Sequence, residues 1–173
     1  MNSVLPLLLT ILLAYACDPA AREAKRAAAR EQVTTFILVR HAEKGFGDDP
    51  NLTPQGQERA QRLSEMLSTE AIDRVYTTDT KRTRQTAQPT ADAHGLKVNF
   101  YKTEDLPSFA SRVRRAHVGE TVLIVGHSNT TPEVANLIAR SSDLDRFSEL
   151  DYGNLLIVTV PPTGESRVLK LRY

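Results

Sequence analysis

The order of polar and apolar positions divides the chain into unlike parts. Val4 to Leu13 are almost uniformly apolar, Asp18 to Gln32 ("DPAAREAKRAAAREQ") are Ala-rich and charged with no apolar stripe, and from Val33 onward short apolar runs alternate with helical patterns. That alternation predicts an α/β domain over 33–173, a three-layer α/β/α sandwich around a mostly parallel central sheet. Phe36–Val39 and Val122–Val125 are continuous apolar runs, as strands buried on both faces require. Ile72–Tyr76 and Val98–Tyr101 are shorter, mixed strands. Leu155–Val160 and Arg167–Tyr173, divided by Pro161–Gly164, predict two strands joined by a turn, antiparallel at one edge of the sheet.

Helix starts are marked by their caps. Thr53-Pro54 puts a hydroxyl ahead of a proline at the first helical position, and Ala60, Leu63, Met66 and Leu67 then predict a buried stripe. Thr130-Thr131-Pro132-Glu133 has capping-box spacing before Val134, Leu137 and Ile138.

Composition changes this picture little. A chain of 173 residues that is 40% hydrophobic suits one domain with a sizeable core. With 22 Lys and Arg against 21 Asp and Glu there is no global field to recruit nucleic acid, so an electropositive site must be local. The leader adds more. The Val4–Leu13 run is too short to span a bilayer and is followed by the A-x-A pattern Ala14-Tyr15-Ala16, which predicts a signal peptide over 1–16. Cys17, the only cysteine, follows at once, and "LAYAC" resembles the lipobox of bacterial lipoproteins, with Ala14 where leucine is usual. The expectation is a lipidated Cys17, a tether over 17–32, and a domain held at the bacterial cell envelope. A buried N-terminal helix is the alternative to export, since no Lys or Arg precedes the apolar run, and cleavage before a free Cys17 is the alternative to lipidation.

Candidate chemistry gathers at strand ends. In open α/β sheets ligands bind beyond the carboxyl ends of the strands, and "FILVRHAEK" places Arg40 and His41 there. "VLIVGHSN" places His127 in the same way, with Gly126 allowing close backbone approach. "VYTTDTKRTRQTA" ends a strand near Tyr76 and starts a helix around Thr80, so Arg82 falls in a first turn whose N–H groups already favour an anion. Two guanidinium groups and two imidazoles at strand ends predict a site for a doubly charged oxyanion. Metal binding is the rival use of His41 and His127, but neither belongs to an H-x-x-x-H or H-x-H pair, and Glu43 and Asp105 supply no recognisable ligand spacing, so no metal is expected.

These segments carry a resemblance. "LVRHAEK" resembles the Arg-His-Gly motif of the histidine phosphatase superfamily, the phosphoglycerate mutase-like proteins, with Ala42 in the glycine place. "TTDTKRTRQTA" is similar to that family's second arginine segment and "VLIVGHSNT" to its second histidine segment, with "LTPQGQERAQRL" downstream of the first motif. The resemblance runs from Thr34 to Val160. It implies a metal-independent phosphatase that hydrolyses small phosphomonoesters through a phosphohistidine: His41 the nucleophile, Arg40, Arg82 and His127 holding the phosphoryl oxygens. The family's general acid is a carboxyl between the second arginine and the second histidine; here Glu104 and Asp105 qualify, and Asp105 is the choice, though an Asp shortly before Pro107 also reads as a helix cap. Glu43, just after the nucleophile, is a candidate for orienting the site.

The short "GFGDD" loop, Lys44 where many relatives carry a small hydroxyl residue, and the lack of large insertions between Arg82 and His127 imply an open site. In this the chain resembles the small bacterial phosphohistidine phosphatases more than the mutases. A phosphohistidine-protein phosphatase and a non-catalytic phosphate-binding envelope module are the alternatives. The sequence is silent on oligomeric state.

Overall fold

The computed structural model describes residues 32–173 together with Ala24 and Ala28. The expected signal peptide, Cys17 and nearly all of the tether lie outside the described residues. Among the described residues no helix is long and apolar enough to cross a membrane.

In chain order the elements are β1 (Thr34–Arg40), α1 (Pro54–Met66), β2 (Arg74–Thr77), α2 (Lys81–Ala93), β3 (Val98–Phe100), a 3-10 turn (Thr103–Asp105), α3 (Leu106–Ala116), β4 (Thr121–Gly126), α4 (Thr130–Ala139), β5 (Asn154–Val160) and β6 (Arg167–Arg172). The six strands form one sheet in the order β3-β2-β4-β1-β5-β6. β3, β2, β4 and β1 run parallel, while β5 pairs antiparallel with both β1 and β6, as the C-terminal hairpin pattern requires.

Side chains alternate across a strand, so the central strands feed two cores. Phe36, Leu38, Val122 and Ile124 pack with Phe109 and Val113 of α3 and Val134 and Ile138 of α4. Ile37, Val39, Leu123 and Val125 pack with Leu63 of α1 and Ala87 and Ala91 of α2 on the opposite face. The three-layer expectation holds, and it explains why the β1 and β4 segments are apolar at every position.

Two helix details differ from the sequence reading. Met66 is 45% exposed, because the buried stripe of α1 runs through Gly56, Ala60, Leu63 and Ser64 and turns past Met66 to Leu67. Thr130 does not form a capping box: α4 begins after Asn129, which gives no side-chain cap, and the Thr130 hydroxyl instead accepts from the His127 amide at 2.9 Å. The first cap behaves as expected, with the Thr53 hydroxyl accepting from Gly56 N–H ahead of Pro54.

Candidate active site

Strand register brings the two distant histidines together. β1 and β4 pair in parallel with Arg40 opposite Gly126, so the next residue of each strand, His41 and His127, leaves the sheet at the same level. Their ring centroids are 5.5 Å apart at an interplanar angle of 69°. Gly126 is needed here: a Cβ on it would lie 2.7 Å from the Tyr101 hydroxyl and 2.8 Å from Thr130 Oγ1. β2 pairs with the other side of β4, Thr77 opposite Val125, and thereby sets Thr78 beside His127.

The cleft so formed has a volume of about 330 Å³ and is lined by His41, Lys44, Arg82 and His127, with Ser128, Arg146 and Glu149 among the residues that complete it. His41 is 2% exposed, and its Nδ1–H donates to the Ala42 carbonyl at 2.8 Å. That bond fixes the tautomer and leaves Nε2 with its lone pair and no protein partner among the described residues. Burial, opposed by the bond to Ala42 and aided by the charges of Arg40, His127 and Arg82, lowers its pKa to about 3. The ring is neutral at physiological pH, as a nucleophile must be. His127 is lowered to about 4, first by burial and then by Arg82 and Arg40, against a small opposing effect of Glu149.

The predicted site residues fare differently. His41, His127 and Arg82 share the cleft. Arg82 is supplied by the first turn of α2, as expected, but the helix N-terminus beside it is already occupied: the Lys81 amide donates to Asp49 Oδ1 at 3.0 Å, and Arg82 itself lies 3.6 Å from that oxygen. The Arg82 Nε is buried without a hydrogen-bond partner.

Arg40 is placed otherwise than the sequence suggested. It is 1% exposed and does not line the cleft; its terminal nitrogens are spent on the loop before β5, donating to the carbonyls of Ser148, Glu149 and Asp151 and to Glu149 Oε2 at 2.9 Å. A buried guanidinium has five N–H groups to satisfy, and this loop supplies the acceptors. Only Nε is left unpaired, and the guanidinium lies 4.2 Å from the Tyr152 ring centre, holding that ring against His41. Arg40 acts on the cleft through its charge and by shaping this loop.

Asp105 is not among the residues lining the cleft. Its side chain accepts from Ser108 N–H at 3.1 Å as the N-cap of α3, and the Ser108 bonds hold its carboxyl below the usual range. The capping alternative is the one realised here, and Glu104 beside it is exposed on the same 3-10 turn. Glu43 is also taken up structurally. Arg59 of α1 grips both of its oxygens at 2.7–3.0 Å. Burial alone would raise the Glu43 carboxyl, but that fork holds it low.

Sequence reasoning missed Glu149. Its carboxylate is the one among the described residues that lines the cleft, accepting from Ser128 Oγ at 2.6 Å, from Arg146 and from Arg40. The Ser128 bond, then Arg146 and the Arg40 charge, lower its pKa to about 2, so it is a fixed negative charge. Nothing in the irregular segment "SSDLDRFSELDYG" marks it out, since its position follows from where Arg40 is buried. No group of three or more His, Cys, Asp or Glu gathers in metal-binding fashion among the described residues.

The profile of the histidine phosphatase superfamily, branch 1, matches residues 36–107, the stretch that carries Arg40, His41 and Arg82. Over that stretch, which is less than half of the chain, the sequence is similar to the histidine phosphatase superfamily. Among curated proteins, phosphoserine phosphatase 1 of Hydrogenobacter thermophilus is 39% identical over 71 residues, which are 36% of this chain and 34% of that one. The match thus spans about a third of the relative's length. The fold is shared more widely. The protein histidine phosphatase SixA complexed with tungstate matches with a TM-score of 0.67 at 14% identity, covering 80% of this chain and 96% of that one. The phosphoserine phosphatase of Entamoeba histolytica, in complex with 3-phosphoglyceric acid, matches with a TM-score of 0.59 at 16% identity over 81% of this chain and 97% of that one. Both share this chain's fold.

Proposed function

We propose that this protein is a phosphatase that hydrolyses phosphomonoesters through a phosphohistidine on His41. The observation that carries the reading is the pair of imidazole rings 5.5 Å apart at the floor of one cleft with Arg82 on its wall. His41 attacks phosphorus with Nε2 while its Nδ1–H stays on Ala42. Arg82 donates to the phosphoryl oxygens, and Arg40 adds positive charge from below. Water then cleaves the phosphorus–nitrogen bond. The substrate is small or presents its phosphoryl group at a surface, since Lys44 and Arg146 rim the cleft and no long insertion covers it.

The test is turnover of p-nitrophenyl phosphate in the presence of EDTA, with trapping of acid-labile phosphate on the protein. Wild-type protein should turn over and label on His41, and His41→Ala should do neither. Equal rates from the two proteins, or a requirement for added metal, would remove the reading.

One observation favours a second substrate class, the phosphoramidates of phosphohistidine proteins. No protonated carboxyl lines the cleft, and a nitrogen leaving group is easier to expel than an alkoxide. Faster turnover of phosphohistidine than of any phosphomonoester would select this class.

A leader followed by Cys17 further supports an envelope location with a lipid anchor, for which the apolar run Val4–Leu13 and the "LAYAC" segment are the grounds. Radiolabelled palmitate should enter the wild-type protein in bacteria and be lost in Cys17→Ser.

A further inference from the structure

A phosphomonoester with a poor leaving group needs a proton delivered to the departing oxygen, and the carboxyl groups around this cleft do not offer one. Asp105 caps a helix away from the cleft lining, Glu43 is held by Arg59, and Glu149 is locked as a carboxylate by Ser128, Arg146 and Arg40. His41 is the nucleophile. What remains is His127.

Its hydrogen bonds set its orientation. The Thr83 hydroxyl donates to the Thr78 carbonyl at 2.8 Å, so its oxygen accepts from the Thr78 hydroxyl at 3.1 Å. With that proton spent, Thr78 Oγ1 is an acceptor toward His127 Nε2, 2.9 Å away. Nε2 therefore carries the hydrogen of the neutral ring, and Nδ1, which has no partner among the described residues, is the nitrogen left for the cleft. Thr83 and Thr78 are 0% and 3% exposed, so water does not compete for this chain of hydroxyls.

We propose that His127 is the proton donor of the reaction, loaded through Nδ1 by the substrate itself. The inference rests on the phosphatase reading. A phosphomonoester monoanion brings a proton on its phosphoryl group, which passes to Nδ1 as the ester binds, giving an imidazolium beside a bound dianion. His41 Nε2 attacks phosphorus, the bond to the leaving oxygen breaks, and that oxygen takes the electron pair and the Nδ1 proton. The alcohol departs neutral and His127 returns to its neutral form. Water then attacks the phosphohistidine, its proton passes to Nδ1, the phosphorus–nitrogen pair returns to His41, and Nδ1 hands its proton to the departing phosphate. The net change is ester monoanion plus water to alcohol plus phosphate monoanion.

The charges facing His127 fit this loading. Arg40 and His41 from the end of β1, Arg82 from α2, Lys44 from the loop after β1, and Arg146 and Glu149 from the loop before β5 surround it. The positive groups outnumber the one carboxylate and keep the free ring neutral. An arriving dianion reverses that balance and favours the imidazolium.

The experiment compares p-nitrophenyl phosphate, which needs no proton at its leaving oxygen, with glycerol 2-phosphate, which does. In His127→Gln, kcat/KM should fall by about 10²–10⁴-fold for glycerol 2-phosphate and by no more than about tenfold for p-nitrophenyl phosphate. Equal losses on both would overturn the proposal. As a check independent of the variant's folding, the wild-type protein should show nearly flat kcat/KM across aryl and alkyl phosphates of rising leaving-group pKa; a steep decline would overturn it. Failure of the wild-type protein on p-nitrophenyl phosphate would remove the phosphatase reading, and this proposal with it.

Discussion

The Thr86 hydroxyl oxygen sits 2.9 Å from the Ala42 amide nitrogen, tying the helix that carries Arg82 to the residue that holds the His41 ring. Its own proton goes to the Arg82 carbonyl at 2.7 Å, so both bonds are made within a buried site. Thr86→Val keeps the shape and removes the acceptor, leaving a buried N–H unpaired. It should cost about 1–3 kcal/mol in denaturant unfolding and lower kcat, while Thr86→Ser should restore most of both.

Gly56 runs against the ordinary rule for helices. Alanine in an exposed helix interior gains about 1 kcal/mol over glycine, but a Cβ on Gly56 would lie 2.1 Å from the Glu43 carbonyl oxygen. That atom is backbone, fixed by Thr53 N–H at 2.9 Å, and cannot swing aside. Gly56→Ala should therefore destabilise the fold by at least about 1–3 kcal/mol, read as a lower thermal midpoint. A raised midpoint would show that α1 can shift away from the nucleophile loop.

Stability should depend on pH through the two cleft histidines. Their native pKa values, about 3 for His41 and about 4 for His127, lie below the ordinary 6.5. Between those values and 6.5 the unfolded chain binds protons that the native one refuses, so stability is complete above 6.5 and is lost as pH falls below it. Denaturant midpoints should drop between about pH 7.5 and pH 5.5, above the range where Glu149 titrates, and His41→Asn with His127→Asn should flatten that slope.

Glu149 places a negative charge in a cleft that would receive a phosphoryl group. Glu149→Gln keeps one acceptor oxygen, for Ser128 and Arg146, gives up the one that faces Arg40, and removes the negative charge, so inorganic phosphate should inhibit about three- to tenfold more tightly. Weaker inhibition would mean that the carboxylate is needed to hold Arg40 and Arg146 in place.

For Asp105 the structure predicts a stability effect without a catalytic one. Asp105→Ala should cost about 1 kcal/mol through loss of the α3 cap, with kcat/KM on glycerol 2-phosphate, whose leaving oxygen needs a proton, unchanged. A large drop in kcat would restore it as a candidate acid.

The candidate site residues were legible because of what precedes them. A run such as "FILV" or "VLIV", short and bounded by polar residues, fits a strand buried on both faces, and the first charged or ring-bearing residues after it leave the sheet, which marks Arg40, His41 and His127. Local signals likewise set the first turn of α2, and with it Arg82, and the hairpin that closes the sheet.

What local pattern could not say is who neighbours whom. Only the sheet order puts β4 between β1 and β2, and only the register of Arg40 against Gly126 makes two histidines 86 positions apart into a pair. The fates of the charged groups were decided in the same way. A buried guanidinium takes whatever carbonyls surround it, so Arg40 went to the loop before β5 and brought Glu149 into the cleft, while Asp105 took the Ser108 amide as a helix cap. Burial of apolar side chains is written residue by residue along the chain. Satisfaction of polar ones depends on partners that only the folded molecule brings within hydrogen-bonding distance.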